Sequence, residues 1–304
     1  MRRAGKPRRA SGYALIRLLR GGICNTDLEL QRGYYAFNGT PGHEFVGVVE
    51  EADTLHWVGK TVVGEINLAC GKCEWCRRKM GRHCPHRTVL GIVKHPGAFR
   101  EMLTLPEQNL HEVPQNVALE HAVFTEPVAA ACEILDQVNI PAGAEVGILG
   151  DGKLGLLIAQ VLAAHGATVH LYGHHRDKLA IAARAGVDGR ITPSPPRAAY
   201  DCVVEATGSA AALEQAIAMT RPRGTLVLKS TVHDRLNVDT SPIVVNEITL
   251  IGSRCGRFEP ALEWIASGKL HLDDMIHARL PLVQAPEAFA RAAERGTLKV
   301  LLTN

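Results

Sequence analysis

The stretch Glu145–Gly155 reads Glu-Val-Gly-Ile-Leu-Gly-Asp-Gly-Lys-Leu-Gly, an apolar run that leads directly into glycines with the spacing G-x-G-x-x-G. An apolar, helix-forming segment, Leu154–His165, follows without a break. Between a strand and a helix, these glycines allow a tight turn and the close approach of a pyrophosphate to the helix N-terminus, which favours anions. A glycine-rich loop that serves packing alone is the alternative. We predict a dinucleotide-binding turn that comprises Gly150, Gly152, Lys153, Leu154 and Gly155.

Strands and helices alternate on the C-terminal side of this turn. Apolar runs at residues 168–172, 201–205, 225–229 and 248–253 are separated by Ala- and Leu-rich segments, which predicts a doubly wound parallel α/β sheet. The first 125 or so residues are instead rich in Gly, Pro, His and short β-branched runs, which predicts a β-rich domain, and the α/β pattern begins at about Pro141. The closing segment has a helical stretch and a strand, and pattern alone does not assign it to either domain.

The residues that follow the second strand of this sheet bear on the choice between NAD and NADP. NAD-preferring sites usually end that strand with Asp or Glu, which accepts hydrogen bonds from the ribose hydroxyls. Here the strand runs into Gly173, His174, His175 and Arg176. Without a carboxylate the repulsion of a 2′-phosphate is removed, and these side chains can add positive charge, so the sequence favours NADP. If Arg176 is only the exposed start of a helix, both cofactors can serve.

The bulk composition is that of a globular protein with room for two domains, since 304 residues are 46% hydrophobic and 21% charged. A net charge of +3 gives no reason to expect nucleic acid or a membrane as a partner, which leaves small molecules. The longest apolar stretch, Leu154–Ala164, is well short of the ~20 residues that a membrane-spanning helix needs. The basic start, Met1–Arg9, lacks an apolar signal core, and we expect it to be a solvated tail.

Four of the 8 cysteines lie close together, in the pattern C-x2-C-x2-C-x7-C formed by Cys70, Cys73, Cys76 and Cys84. Thiolates at this spacing can surround one tetrahedral Zn²⁺, and a closed shell of this kind has no position for substrate. The pattern therefore predicts a structural zinc site. Disulfides and an iron–sulfur cluster are the alternatives. Because the spacing is that of a metal site rather than of a disulfide framework, we expect a cytoplasmic protein.

A second set of potential metal ligands comprises Cys24, His43, Glu44 and Glu126. Each is a weak signal by itself, because a lone histidine is usually a surface or hydrogen-bonded residue. Together they offer thiolate, imidazole and carboxylate, a mixed three-ligand set that leaves a fourth zinc position for water or substrate. The combination predicts a catalytic zinc site.

These motifs and their order resemble the zinc-dependent medium-chain dehydrogenases, a family that includes alcohol, polyol and threonine dehydrogenases. The matching segments span nearly the whole chain and are Gly22–Asp27, Gly42–Glu44, the four cysteines, Glu126–Pro127 and Gly150–Gly155. The resemblance implies an α/β protein with a GroES-like catalytic domain at residues 1–127, which carries a structural zinc lobe at 70–84. It also implies a Rossmann dinucleotide-binding domain at residues 128–265 and a C-terminal segment, 266–304, that returns to the catalytic domain.

In the family's pattern, Cys24 and His43 bind the catalytic zinc, and either Glu44 or Glu126 is the third ligand. In members that act on simple alcohols the position of Glu126 is commonly a cysteine, so this chain is more similar to the polyol and threonine branches. Both glutamates binding in turn is a further alternative.

Four other matches concern proton transfer and the cofactor. Thr26 matches a hydroxyl that passes the alcohol proton toward solvent, and Asp27 matches a carboxylate that orients a zinc ligand. A turn hydroxyl and a helix cap are the alternatives for this pair. Thr207 matches a residue near the nicotinamide ribose, and Lys299 matches a basic residue that reaches the pyrophosphate.

The resemblance implies an enzyme that transfers a hydride between an alcohol and NAD(P), with two zinc ions per chain, and a homodimer or homotetramer. The alternative is a zinc- and dinucleotide-binding sensor or scaffold that has lost catalysis, which the complete set of catalytic matches disfavours. The chain departs from the family at its start, where a short basic tail takes the place of the usual hairpin.

Overall fold

The computed structural model describes residues 5–33, 36–191, 193–230 and 237–304. Its strands are β1 (Tyr13–Ile23), β2 (Glu44–Glu51), β3 (Thr61–Gly64), β4 (Asn67–Leu68), β5 (Thr88–Leu90), β6 (Lys94–His95), β7 (Met102–Pro106), β8 (Leu110–Glu112), β9 (Glu145–Leu149), β10 (Thr168–Tyr172), β11 (Asp188–Arg190), β12 (Tyr200–Glu205), β13 (Thr220–Leu228), β14 (Thr249–Gly252), β15 (Ile276–Pro281) and β16 (Lys299–Thr303). Its α-helices are α1 (Asn25–Gln31), α2 (Glu74–Arg77), α3 (Leu119–Ala122), α4 (Thr125–Gln137), α5 (Lys153–His165), α6 (Arg176–Arg184), α7 (Ala210–Met219), α8 (Ser241–Val245), α9 (Phe258–Ala266) and α10 (Ala285–Ala293).

The chain folds into two compact units. The first comprises Met1–Glu126, Phe258–Ala266 and Met275–Asn304, and the second comprises Pro127–Arg257 and Ser267–Asp274. The first segment of the first unit ends at Glu126, one residue before the end that the sequence analysis gives for the catalytic domain. The C-terminal part differs from expectation, because α9 belongs to the first unit while the segment after it belongs to the second. A helical pattern such as that of α9 does not reveal which unit its apolar face packs against.

The first unit is built on a seven-stranded sheet with the order β15-β16-β1-β2-β3-β8, to which β7 adds by pairing with β1. The long strand β1 organises it, because Gly22 lies opposite Glu44 of β2 and Ile23 lies opposite Val300 of β16. Leu15, Ile16 and Leu18 of β1 are completely buried and form part of the core. A separate three-stranded sheet, β4-β5-β6, accompanies the four-cysteine segment.

The second unit contains a six-stranded parallel sheet with the order β11-β10-β9-β12-β13-β14. In chain order this is 3-2-1-4-5-6, and the direction of winding reverses between β9 and β12. Ligands of such sheets bind at the carboxyl ends of the strands beside this reversal. The glycine turn that follows β9 lies at that position.

The elements predicted around the glycine turn are confirmed. The strands β9 and β10 have the predicted bounds, and α5 begins one residue before its predicted start. The strand β13 begins at Thr220, five residues earlier than the apolar run, and the short strand β11 has no clear sequence signal. No helix among the described residues is both long and apolar enough to cross a membrane.

The basic N-terminal segment is held by ion pairs where the sequence suggested a solvated tail. Lys6 Nζ donates to Glu51 at 2.7 Å, and the guanidinium of Arg9 donates to Asp53. The N–H of Gly12 donates to the same Asp53 carboxylate at 2.6 Å. Residues 1–4 lie outside the described part of the chain. Residues 5–12 therefore lie against the end of β2 and the turn after it, although most of them are exposed.

Candidate active site

The first turn of α1 positions Cys24. Its backbone is extended and precedes the helix, and its N–H donates to Asp27 Oδ2 at 2.9 Å. Asp27 Oδ1 accepts the N–H of Gly42 at 3.0 Å, and the Asp27 side chain is completely buried. The carboxylate thus joins the start of α1 to the segment that enters β2. Thr26 Oγ1 lies 3.9 Å from Cys24 Sγ, so the hydroxyl and the thiol share one site.

The segment that enters β2 supplies His43 and Glu44, which are 3% and 1% exposed. One ligand atom from each of Cys24, His43 and Glu44 lies within 4.8 Å of the others. Thiolate, imidazole and carboxylate at this separation are the donor set of a zinc site with an open position. The residues present therefore fit a catalytic zinc ion.

The environment of His43 also suits a zinc ligand. Its Nδ1 is buried, has no hydrogen-bond partner among the described residues, and lies 3.4 Å from Asp27 Oδ1. Burial by itself lowers the pKa of His43, but the negative charges of Asp27 and Cys24 beside it raise the pKa well above its ordinary value. An imidazole whose Nδ1 faces a carboxylate has its Nε2 available for a metal and is fixed in orientation. Asp27 is placed to give this orientation.

Glu44 also contacts Lys299, whose ammonium donates a hydrogen bond to Glu44 Oε2. Lys299 is 3% exposed, and its Nζ lies 5.7 Å from the centre of the Phe124 ring. Burial lowers the pKa of Lys299, but Glu44, Cys24 and, more weakly, Glu126 raise it above its ordinary value. A cationic Lys299 therefore offsets the negative ligands.

Glu126, in the first turn of α4, does not belong to the group of close ligand atoms that the described residues form around Cys24. Among the described residues, Glu44 and not Glu126 shares with Cys24 and His43 a group of ligand atoms within 4.8 Å of one another. The charge of Glu126 contributes to the raised pKa of Lys299.

The four-cysteine lobe has the dimensions of a tetrahedral metal site. The sulfur separations are 3.9 Å for Cys70–Cys76, 3.5 Å for Cys73–Cys76 and 3.7 Å for Cys73–Cys84. Four sulfurs at ~2.3 Å from one ion lie ~3.8 Å apart. All four cysteines are free thiols, so the disulfide alternative is wrong. Hydrogen bonds from the backbone of Lys72 and Cys73 lower the pKa of Cys70 to about 6, whereas burial and hydrogen bonds to the neighbouring cysteines raise the pKa of Cys76 to about 12.

The glycine turn has the backbone geometry that an anion cradle requires. Gly150 has φ +114°, a conformation that side chains other than glycine rarely adopt. A Cβ at Gly155 would lie 1.9 Å from the Gly150 carbonyl oxygen, so only glycine permits α5 to start this close to β9. A Cβ at Gly152 would meet nothing within 4 Å, which leaves space beside the N-terminus of α5. The turn fits a dinucleotide pyrophosphate.

The loop after β12 meets the glycine turn. Glu205 is 4% exposed and accepts hydrogen bonds from the N–H and the hydroxyl of Thr207, both at 2.6 Å. A Cβ at Gly150 would lie 3.0 Å from Thr207 Cγ2. Thr207 therefore stands at the carboxyl ends of β9 and β12, where the sheet reverses its winding.

The residues after β10 are held by a carboxylate from the glycine turn. Asp151 Oδ2 accepts the N–H groups of His174 at 2.8 Å and of His175 at 2.7 Å, and His175 Nδ1 lies 3.0 Å from the same oxygen. Burial raises the pKa of Asp151, but these hydrogen bonds and the charge of His175 bring it below its ordinary value. Asp151 is therefore ionised at neutral pH.

Comparison with known proteins agrees with this arrangement. Residues 10–115 match the model of the alcohol dehydrogenase GroES-like domain, and residues 154–267 match that of the zinc-binding dehydrogenases. A sorbitol dehydrogenase from Halalkalibacterium halodurans is 30% identical over 305 residues, which cover 93% of this chain and 89% of that enzyme. The chain belongs to the zinc-dependent medium-chain dehydrogenases.

Two other relatives of this zinc-dependent dehydrogenase extend the comparison. A D-arabitol-phosphate dehydrogenase from Enterococcus avium is 28% identical over 97% of this chain and 91% of its own length. A structure described as a zinc-binding dehydrogenase from Sinorhizobium meliloti, bound to NADP, superposes with a TM-score of 0.89 at 28% identity, over 99% of this chain and 94% of that one. The predicted family, its GroES-like and Rossmann fold class and its activity as an alcohol oxidoreductase are confirmed.

The sequence analysis did not predict the local roles of three residues that shape the sites of this medium-chain dehydrogenase. Gly22 leaves the space that Glu44 and Lys299 occupy, because a Cβ there would lie 2.6 Å from Glu44 Oε2. Asp151 and Glu205 hold the loops after β10 and β12. Gly22 and Asp151 lie inside matching motifs and Glu205 ends a predicted strand, but only the pairing of strands reveals their partners.

Proposed function

We propose that this dehydrogenase oxidises a hydroxyl group of a polyol or amino alcohol, reversibly, with a catalytic zinc ion held by Cys24, His43 and Glu44. The proposal rests on one observation, the convergence of these three ligand atoms within 4.8 Å. A zinc ion held there would supply the Lewis acidity that lowers the pKa of an alcohol, and a nicotinamide cofactor would supply the hydride acceptor. Sorbitol and arabitol phosphate in the names of the relatives, and Glu126 in place of cysteine, support the polyol class.

Four residues of the chain are proposed to orient the ligands, compensate their charge and transfer the proton. Asp27 orients His43 and fixes the start of α1, and Lys299 compensates the charge of Glu44. Thr26 is proposed to accept the proton of the substrate hydroxyl and pass it to solvent, since its Oγ1 lies 3.9 Å from the Cys24 sulfur. Glu126 is proposed to act through its charge rather than as a permanent ligand.

For the cofactor we propose NADP in preference to NAD, at the glycine turn of Gly150, Gly152, Lys153, Leu154 and Gly155. The support is the absence of a carboxylate from residue 173 and the basic residues after it. Thr207 is proposed to contact the nicotinamide ribose. Contact of Lys299 with the pyrophosphate stays a prediction, and its hydrogen bond to Glu44 gives it a second role.

We propose a second, structural zinc at Cys70, Cys73, Cys76 and Cys84, in a chain that works in the reducing cytoplasm. A homo-oligomer is also proposed. The strand β14 is an edge strand of its sheet, and Leu250 within it and Val244 and Val245 of α8 are 43%, 75% and 78% exposed. An unpaired edge with apolar neighbours is a suitable surface for a second copy of the chain.

The decisive experiment assays the zinc-loaded protein against polyols, amino alcohols and simple alcohols with NADP and with NAD. Turnover of a polyol or amino alcohol is expected, and the absence of turnover with every substrate would favour the sensor or scaffold alternative. Glu44→Gln and Glu126→Gln are compared for zinc content and kcat/KM. We expect Glu44→Gln to lose the catalytic zinc and at least about a hundredfold in kcat/KM, and Glu126→Gln to retain the metal. The reverse result would assign the third ligand to Glu126.

A further inference from the structure

The glycine turn supplies the carboxylate that the end of β10 lacks. The strands β9 and β10 are parallel neighbours, with Leu149 opposite Tyr172, and the N–H of Gly150 donates to the Tyr172 carbonyl at 2.9 Å. The residues that follow the two strands therefore lie side by side. As a result the Asp151 side chain reaches the residue that follows β10.

Asp151 fills the space of a side chain at position 173. A Cβ built on Gly173 would lie 2.4 Å from Asp151 Oδ2 and 2.5 Å from its Cβ. Any residue with a side chain at 173 would displace the carboxylate, so Gly173 and Asp151 depend on each other. Asp151 is 6% exposed, which shows that the carboxylate is built into the loop rather than extended into solvent.

The carboxylate also occupies the amide groups that an anion would use there. The N–H groups of His174 and His175 lie at the start of α6, where backbone donors attract anions, and both donate to Asp151 Oδ2. In a doubly wound sheet the residue after the second strand faces the adenosine ribose, and a carboxylate there accepts from its 2′-hydroxyl. A phosphate group on the ribose 2′-oxygen would be repelled by the negative charge of Asp151. It would also find the N–H groups of His174 and His175 already hydrogen-bonded to that carboxylate.

We propose that Asp151 limits the preference of this enzyme for NADP, through a negative charge that the glycine turn places beside the end of β10, where the strand itself carries none. The charge of Asp151 favours binding of NAD, which has a 2′-hydroxyl, over NADP, which has a 2′-phosphate. The basic side chains of His174, His175 and Arg176 favour NADP, and the two opposing effects limit the preference for NADP. This inference rests on the dinucleotide site of the proposed function and not on the identity of the alcohol.

The test compares Asp151→Asn with Asp177→Asn, which removes an exposed negative charge one residue into the same helix. The dissociation constants of NADPH and NADH for the zinc-loaded protein are measured by nucleotide fluorescence, without substrate. We expect Asp151→Asn to shift the ratio of the two constants toward NADPH by about tenfold, the factor for one unit charge ~6 Å away at an effective permittivity of ~40. The control should change the ratio by less than about twofold, because its charge is exposed and screened.

A role for Asp151 in loop structure alone would give a different result. Loss of its amide bonds would weaken both nucleotides alike and leave their ratio unchanged, and that outcome would overturn the proposal. Asp151→Ser, which retains an acceptor oxygen without the charge, is expected to shift the ratio in the same direction. If the wild-type chain binds neither nucleotide, the dinucleotide site and this inference both fail. Binding without turnover of any alcohol would reject only the proposed function.

Discussion

Lys299 donates a hydrogen bond to Glu44 in the interior of the first unit, where 4% and 1% of the two side chains are exposed. The partners are 255 residues apart in the chain and come from strands on opposite sides of β1. Each is a charged group that would be costly to bury alone. Their pairing therefore ties the C-terminal strand to the strand that carries the metal ligand.

Removing either charge should destabilise the protein strongly. We expect Lys299→Met and Glu44→Gln each to reduce the free energy of unfolding by about 3–5 kcal/mol, because the remaining partner loses its counter-charge. The double variant should lose less than the sum, since both charges are then absent. Chemical denaturation of the four proteins, with the catalytic zinc removed from all of them by a chelator, measures this. Additive losses would show that the pair does not act as a unit.

Gly22 should be indispensable for the geometry of the catalytic ligands. A methyl group at this position would lie 2.6 Å from Glu44 Oε2 and 2.7 Å from Val123 Cγ1, so one of them must move. We expect Gly22→Ala to weaken zinc at the catalytic site by about 10- to 100-fold, as loss of ligand support commonly does. Competition with a chromophoric chelator measures this affinity.

The matched control for Gly22 is Gly5→Ala, because a Cβ at Gly5 meets nothing within 4 Å. Zinc affinity of this control should equal that of the wild type. The four-cysteine lobe should retain its ion in both variants. An unchanged catalytic affinity in Gly22→Ala would mean that the strands relax around the added methyl group.

The four-cysteine lobe should depend on its ion for stability. We expect Cys73→Ser to lower the zinc content from about two ions to about one per chain. The Tm should fall by about 5 °C or more, given ~2–4 °C per kcal/mol in domains of this size. Cys255→Ser, outside both metal sites, is the control and should leave the zinc content unchanged. Metal analysis of the purified protein also decides between zinc and iron, and iron with sulfide would contradict the zinc site.

Local signals explain which parts of the fold could be predicted. The bounds of β9 and β10 follow from apolar runs that end at glycines, and the four cysteines lie within one short segment. The partners of Asp151, Glu205 and Gly22 depend instead on which strands become neighbours and in what register. The sequence alone does not state this pairing.

The choice between Glu44 and Glu126 illustrates the same limit for the metal site. Both lie in matching motifs, and residue type does not distinguish two carboxylates. The two carboxylates differ in position, because Glu44 is the first residue of β2 and directly follows His43, whereas Glu126 lies in the first turn of α4. Similarly, the family resemblance implied a pyrophosphate contact for Lys299, but the burial of Lys299 beside Glu44 follows only from the pairing of β1 with β2 and β16.

The attachment of the N-terminal segment should depend on pH through Asp53. Hydrogen bonds from the N–H of Gly12, from Arg9 and from Ser11 lower the pKa of Asp53 to about 2. A carboxyl group whose pKa is lower in the folded state stabilises the fold above its unfolded pKa of ~3.9. This contribution is lost as the pH falls from ~4 through the folded pKa. Asp53 should therefore hold the segment fully at neutral pH and only in part at pH ~3.

Comparison of the wild type with Asp53→Asn tests this. At pH 7 trypsin should cleave the variant faster after Arg8 and Arg9, because the ion pair and the Gly12 contact are weakened. The Tm difference between the two proteins should be full at pH ~5 and smaller at pH ~3, where the wild-type carboxyl begins to take up a proton. The control is Glu50→Gln, which removes an exposed carboxylate of β2 that pairs with Arg17 of β1, and it should leave cleavage unchanged. A Tm difference that grows as the pH falls would contradict the role of the ionised Asp53, because neutralisation of this group must make the two proteins more alike.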